Sequence, residues 1–435
     1  MSARPDHAWV AEAADRFAFR YQNGEGFLEG VSLDTIAAAV GTPTYVYSAA
    51  HIATRYRRLE DAVRGRPTKI CFAVKANGSL AVLSHLRSLG AGADIVSVGE
   101  MKRALAAGMS AKDIVFSGVG KTDAELDAAI EAGLRSVNVE SAEEVDRLEA
   151  RASALGKTVP VTLRVNPDVD PKTHPYLATG MEKAKFGISM SEAATLALRV
   201  HASPHLEMEG IGCHIGSQIA NVEPFVDSFD RIRKLTVGLR EQGVKLGHID
   251  LGGGFGIAYG ESDASLDIAA WGEAVVKASA DLDVELMLEP GRWLTAQSGV
   301  LLMRVVGNKR SDSKRFVIVD AAMNDLLRPA LYRAYHAIVP VTQPPADADA
   351  TVADVVGPVC ESGDFLGLHR PLAATPTGSL MAVLSAGAYG MSMASNYNTR
   401  PLPAEVLVDG DRWAVTRPRQ TVEDLLAAEQ LPQWD

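Results

Sequence analysis

The 435-residue chain has little that would tie it to a membrane, a nucleic acid or an oxidising compartment. It holds only three cysteines, Cys71, Cys213 and Cys360, far apart in sequence. An odd and widely spaced set gives neither a disulfide framework nor a paired-cysteine zinc motif, and it fits a reducing, cytoplasmic setting. No run of 18 apolar residues occurs, so no membrane span is expected. Residues 1–19 contain Asp6, Glu12 and Asp15 and no apolar segment, so no secretory signal is expected there. There is no lysine/arginine block, and the net charge is -11 from 43 basic and 54 acidic residues. That balance argues against nucleic acid or an anionic membrane as partner. What remains is ordinary for a globular protein with a large core: 47% apolar and 22% charged residues, at a length that suggests two domains.

Between residues 69 and 292 short apolar runs alternate with stretches at helical spacing. Strands are expected at 69–74, 93–98, 113–117, 136–139, 160–165, 209–214, 247–251 and 284–288. Alanine- and leucine-rich segments such as 79–90, 99–108, 122–132 and 141–155 fill the gaps as helices. Eight such units predict an α/β fold with a closed (β/α)8 TIM-like barrel, an open doubly wound sheet being the alternative. After Arg292 the texture becomes strand-like, at 300–306, 315–320, 352–356, 379–385 and 404–417, with Asp409-Gly410 as a hairpin turn. This second domain is read as mainly β, with a polar loop at 340–350 and a closing helix near 422–429. Near the start, a short helix at 33–40 and a strand at 44–47 are expected, and the polar segment 168–185 is a candidate lid.

In such a barrel, functional groups lie at the carboxyl ends of the strands, and phosphate often binds after strands seven and eight. Here those ends carry Lys75 (strand one), Cys213-His214-Ile-Gly-Ser217-Gln218 (six), Asp250-Leu-Gly-Gly-Gly254-Phe (seven) and Glu289-Pro290-Gly291-Arg292 (eight). A lysine ending a buried strand is expected to be partly desolvated, which lowers an amine's pKa and makes it a nucleophile for carbonyls; a surface lysine is the plain alternative. Glycines 252–254 can offer successive backbone N–H groups to an anion, with Ser217 and Arg292 completing a phosphate cup, or can simply make a tight turn. A carboxylate ending a buried strand, as Glu289 does, needs a cation: a local arginine, or a protonated pyridine nitrogen. His214 is either a satisfied core histidine or a flat ring against an aromatic ligand. One cofactor uses all four features. Pyridoxal 5'-phosphate (PLP) has an aldehyde for the lysine, a phosphate for the glycines and a ring whose protonated nitrogen needs an acid.

Phe72-Ala-Val-Lys75-Ala-Asn77, His214-Ile-Gly-Ser-Gln, Asp250-Leu-Gly-Gly-Gly-Phe and Glu289-Pro-Gly-Arg together resemble the alanine-racemase-type (fold type III) PLP-dependent decarboxylases. Met323-Asn-Asp-Leu-Leu-Arg328-Pro-Ala-Leu-Tyr332, the following His336-Ala-Ile, and Cys360-Glu361-Ser-Gly-Asp364 narrow the resemblance to the diaminopimelate decarboxylases, over nearly the whole chain. Val98 departs from it, many relatives having glycine in that loop. The resemblance implies a barrel over 49–293, a β domain over 294–435 and an N-terminal segment, 1–48, packing with the latter. It also implies a homodimer in which Cys360 and Glu361 reach the active site of the partner subunit.

By the same resemblance Lys75 carries the cofactor and His214 stacks on it. Ser217, Gly254, Gly291 and Arg292 serve its phosphate side, Gly253 and Pro290 also bind the cofactor, and Glu289 meets the ring nitrogen. Arg292, Arg328, Tyr332, Glu361 and Tyr389 contact substrate, Tyr389 also reaching cofactor, and Cys360 is the proton donor. The implied reaction is decarboxylation of meso-2,6-diaminopimelate to L-lysine. Two guanidinium groups with one carboxylate suit a substrate whose far end is zwitterionic. Sister decarboxylases acting on ornithine, lysine, arginine or carboxynorspermidine, a racemase and a silent PLP-binding protein are the alternatives. A metal-dependent hydrolase lacks its clustered ligands at the strand ends.

Overall fold

The computed structural model of the chain describes residues 4–13, 15–170, 185–345 and 347–434. The chain divides into two compact units. One comprises residues 53–257 and 264–294, the other residues 1–52, 258–263 and 295–435. Most of the candidate lid, 171–184, lies outside the described residues.

The first unit is a closed parallel barrel. Its strands are β1 (Thr68–Ala73), β2 (Gly92–Ile95), β3 (Ile114–Phe116), β4 (Ser136–Val139), β5 (Val159–Asn166), β6 (Leu206–Gly212), β7 (His248–Asp250) and β8 (Glu285–Leu288). Neighbours in sequence pair in parallel all round, β4 to β5 through Val137↔Val161, and β8 returns to β1 through Leu288↔Ile70. The strands are short and apolar because both faces are covered, as parallel strands require. Phe72, Ile95, Phe116, Val139, Leu163 and Leu286 are all fully buried.

The helices between the strands start where the side chains say they should. Thr122 and Glu125 form a reciprocal capping box ahead of Asp123–Ala132, which buries Leu126, Ala129 and Ile130 along one stripe. Ser97 and Ser141 cap Val98–Ala106 and Ala142–Ala154 by accepting from Glu100 N and Glu144 N.

The second unit is mainly β. Gly299–Arg310 is its central strand, antiparallel to Arg315–Val319, Leu380–Val383 and Thr44–Ser48. Ala404–Asp409 adds in parallel to Thr44–Ser48, and Thr351–Val356 in parallel to Arg315–Val319. The Asp409-Gly410 hairpin is present, with Asp409 opposite Arg412. Trp9, Phe19, Leu28, Ile36, Val46, Val300, Val339 and Val406 share one core.

Five elements of this unit stand out as not predicted by alternation. Asp6–Glu12 is a helix and Phe19–Gln22 pairs with Glu25–Leu28. Asn23-Gly24, both at positive φ, carries the signal for that hairpin. Phe365–Leu372 is a strand despite Gly367 and Pro371, and it pairs with Thr351–Val356 across a bulge. Ile338–Pro340 pairs with Leu380–Val383.

Candidate active site

Within the barrel unit the strand ends are stitched together by backbone hydrogen bonds. Cys213 N donates to Asp250 O at 3.0 Å, Glu289 N to Gly252 O at 2.7 Å and Ala73 N to Pro290 O at 3.1 Å. The ends of strands six, seven, eight and one therefore hold His214, the glycine turn, Glu289 and Lys75 in one mouth.

Lys75 follows β1 in a single 3-10 turn, Val74–Ala76. Its side chain is 42% exposed, partly covered at the mouth. Nζ donates to Asp94 Oδ2 at 3.0 Å, and Asp94 is wholly buried on β2. A buried carboxylate facing one exposed-side amine fixes that amine's position at the mouth. Asp94 is the residue that sequence reasoning passes over, because one aspartate in a four-residue apolar strand carries no motif.

Glu289 lies among other carboxyls. It sits with Asp250 and Asp94, and Asp250 and Glu289 share a hydrogen bond. Burial, then the charges of Asp250 and Asp94, push the Glu289 carboxyl well above the ordinary carboxylate range, opposed by Lys75. Asp250 is also raised by burial but held down by its bonds to Glu289 and Gly252 N. Two carboxyls that close do not both ionise, and the proton resides on Glu289.

His214 is kept neutral. Burial, then Arg164 and Lys75, push its pKa well below the usual histidine value. Gly253 N donates to its Nδ1 at 3.2 Å, so the ring proton is on Nε2. Arg164, on β5, pairs with Glu140 at 2.9 Å.

The glycine turn differs from the expected row of open donors. Gly252 N is already bonded to Asp250 Oδ1 at 2.8 Å and Gly253 N to His214 Nδ1. The glycines are required mainly by close approach. A Cβ on Gly253 would lie 2.1 Å from Glu289 O, and one on Gly254, at φ +88°, 2.1 Å from Gly216 O. Arg292 is buried and donates to Ser217 Oγ at 3.2 Å, joining strand ends six and eight. These residues fit PLP: a tethered amine, a neutral flat ring, a protonated acid and a small polar turn lie at one mouth.

The other sequence-predicted residues belong to the β unit. Arg328 and Tyr332 lie on one short helix, Arg328–Tyr332, with Arg328 buried and Tyr332 exposed. Cys360 is an exposed free thiol whose N–H donates to Asn398 Oδ1 at 3.1 Å, and Glu361 beside it is exposed. Tyr389 has φ +55° within Gly387-Ala-Tyr-Gly390.

The family model described as "Pyridoxal-dependent decarboxylase, pyridoxal binding domain" matches residues 49–296, and the chain belongs to that family of pyridoxal-dependent decarboxylases. Within it the chain is a member of the diaminopimelate decarboxylases. It is 51% identical to the diaminopimelate decarboxylase of Pseudomonas fluorescens, over 95% of this chain and 99% of that one. Among solved structures, the diaminopimelate decarboxylase of Helicobacter pylori complexed with L-lysine superposes with a TM-score of 0.87 at 39% identity, over 91% of this chain and 98% of that one. The M. jannaschii enzyme in co-complex with L-lysine gives 0.90 at 34% identity, over 96% and 99%.

Proposed function

We propose that the chain removes one carboxylate from meso-2,6-diaminopimelate with PLP as cofactor, releasing carbon dioxide and L-lysine, the last step of lysine biosynthesis. The observation that carries this reading is similarity to diaminopimelate decarboxylases over almost the full length of both chains.

PLP bound at the barrel mouth supplies the electron sink for the pair left behind as carbon dioxide departs. The chain's own residues do the rest. Lys75 Nζ is the amine that holds the cofactor, and Asp94 keeps it in place. The neutral ring of His214, anchored by Gly253 N–H, offers a flat face for stacking. Glu289, protonated beside Asp250, keeps a proton at its carboxyl for the ring nitrogen. Ser217, Gly253, Gly254, Pro290, Gly291 and Arg292 are assigned to the phosphate side. Gly254 takes the larger part, since Gly253 N–H is engaged.

Arg292, Arg328, Tyr332, Glu361 and Tyr389 are assigned to substrate. Guanidinium groups suit the distal carboxylate and Glu361 the distal ammonium. Cys360 donates the proton that replaces the lost carboxylate. We assign Cys360 and Glu361 to the partner subunit's site in a homodimer, a role that their exposure on the single chain allows. Three free cysteines and the absence of any helix long and apolar enough to span a membrane among the described residues suit a cytoplasmic enzyme.

The test is to incubate the purified chain with PLP and meso-diaminopimelate and to follow L-lysine and carbon dioxide. Turnover of ornithine, lysine or arginine in preference to diaminopimelate overturns the substrate assignment.

A further inference from the structure

Apolar side chains fill the interior of a closed parallel barrel in the ordinary case, and Cys71, Val115 and Met287, from β1, β3 and β8, do form such a cluster here. β4, β5 and β7 instead bury Ser136, Asn138, Thr162 and His248. Polar groups away from water are costly unless each is bonded, and these form one line. His248 Nε2 lies 2.9 Å from Thr162 Oγ1, Thr162 Oγ1 2.6 Å from Ser136 Oγ, and Ser136 Oγ 3.1 Å from Asn138 Oδ1. Asn138 Nδ2 donates to Ser117 Oγ at 3.1 Å. Ser117, just past β3, donates to Glu289 Oε1 at 3.5 Å, the longest link. The first link joins β5 to β7 over the strand between them. Gly210 of β6 pairs with both Thr162 and His248, and a Cβ there would lie 2.3 Å from His248 Nε2, so glycine is what leaves the passage open.

The line has one sense. A serine or threonine hydroxyl has a single proton to give. Ser136 gives its proton to Asn138 Oδ1, so the proton between Ser136 and Thr162 belongs to Thr162. Thr162 must then accept from His248, which puts a ring proton on Nε2. Nδ1 faces Glu209 Oε1 at 3.8 Å, beyond hydrogen-bond reach. Every donor of the line therefore points toward Glu289. In a protonated carboxyl one oxygen carries the proton and the other accepts. Oε1 is the oxygen that accepts from Ser117, so the proton of Glu289 sits on Oε2.

We propose that this line, begun by His248 and ended by Ser117, positions the Glu289 carboxyl and fixes Oε2 as the oxygen that presents a proton to the ring nitrogen of the cofactor. Thr162, Ser136 and Asn138 are the positioning residues between the two ends. The proposal rests on the assignment of Glu289 to the ring nitrogen made above. A network that served only stability would show in unfolding and not at that nitrogen, and the experiment separates the two.

The test uses the full-length enzyme loaded with PLP that carries the heavy nitrogen isotope in its ring, whose magnetic resonance reports protonation of that nitrogen, together with steady-state kinetics on meso-diaminopimelate. Thr162→Val keeps the shape and breaks the line. It is expected to move the resonance toward the unprotonated ring and to lower kcat roughly ten-fold, the scale of one lost hydrogen bond, with KM little changed. Thr162→Ser, which returns the hydroxyl but not the methyl group, is expected to recover most of both. Ser117→Ala is expected to match Thr162→Val, and the double variant to be no worse in kcat than either. A wild-type resonance in Thr162→Val, equal losses in Thr162→Val and Thr162→Ser, or losses that multiply in the double variant each overturns the proposal. Should Thr162→Val fail to fold, Ser117→Ala decides by the same shift, a wild-type resonance overturning it. If Glu289→Gln itself leaves the resonance unchanged, the assignment of Glu289 to the ring nitrogen is what has failed.

Discussion

The pairing of Lys75 with Asp94 sets the chemistry at the level of single residues. An amine on a partly exposed side chain is otherwise free to swing, and a buried carboxylate 3.0 Å away removes that freedom. Lys75→Ala is expected to abolish turnover and covalent retention of PLP, read as label left on the protein after borohydride reduction and gel filtration. Retention equal to wild type would place the tether elsewhere. Asp94→Asn keeps the shape and deletes the charge. It is expected to slow turnover about ten-fold or more, the scale of a lost buried charge partner, while the chain stays folded. Lys75 was legible because a lysine after Phe-Ala-Val stands out; Asp94 was not, because its importance comes from a neighbouring strand that only the barrel brings alongside.

Asp325 gives a pH dependence at the same scale. Burial pushes its carboxyl up to about 6 although Ala322 N donates to it. An unfolded aspartate titrates near 4, so between roughly pH 4 and 6 the folded chain holds a proton that the unfolded chain has released. Stability is therefore greatest below that window and falls as pH rises through it, by roughly 3 kcal/mol. Urea midpoints measured across this range are expected to fall accordingly, and Asp325→Asn to flatten the trend. An equal slope in the variant would assign it to another group.

At the level of elements, the turn after β7 shows how a sequence signal can be right in place and incomplete in cause. Three consecutive glycines suggest a bare row of N–H groups, yet two of those groups are bonded inside the barrel. Their small size is needed because the turns after β6, β7 and β8 press backbone on backbone. Gly253→Ala must displace Glu289 O, at a cost of about 1–3 kcal/mol by comparison with overpacked cores. Thermal unfolding is expected to move down and PLP affinity to weaken with it, since the same shift disturbs Glu289. Unchanged affinity would mean that the turn yields without moving the acid.

The barrel strands were legible because each is a short run rich in apolar residues and covered on both faces, and helices with serine or threonine caps follow β2, β3 and β4. Phe365–Leu372 was not. Its glycine and proline read as loop, and the bulge opposite Ala353 and Val355 that accommodates them is a tertiary feature. Tyr259 was equally hidden, since nothing local tells that its segment groups with another unit.

At the level of the whole molecule, the assignment of Lys75 and Cys360 to opposite subunits has a quantitative consequence. Lys75→Ala and Cys360→Ala are each expected to be inactive. Mixed and allowed to exchange subunits, they form hybrids in about half of all dimers, each with one of two sites intact, so about one quarter of wild-type activity returns. No recovery, with exchange verified, would put both residues in the same subunit's site.

The excursion of residues 258–263 limits how the gene can be divided. The chain contributes to the β unit in three separate passes, and the middle pass delivers Tyr259 beneath Arg328. A fragment starting after residue 294 would lack both the amino-terminal strand Thr44–Ser48 and the aromatic floor of its own arginine. Transplanting the carboxyl-terminal half of a relative specific for another amino acid would thus leave the new arginine resting on the host's tyrosine loop, so chimeras should exchange 258–263 together with that half.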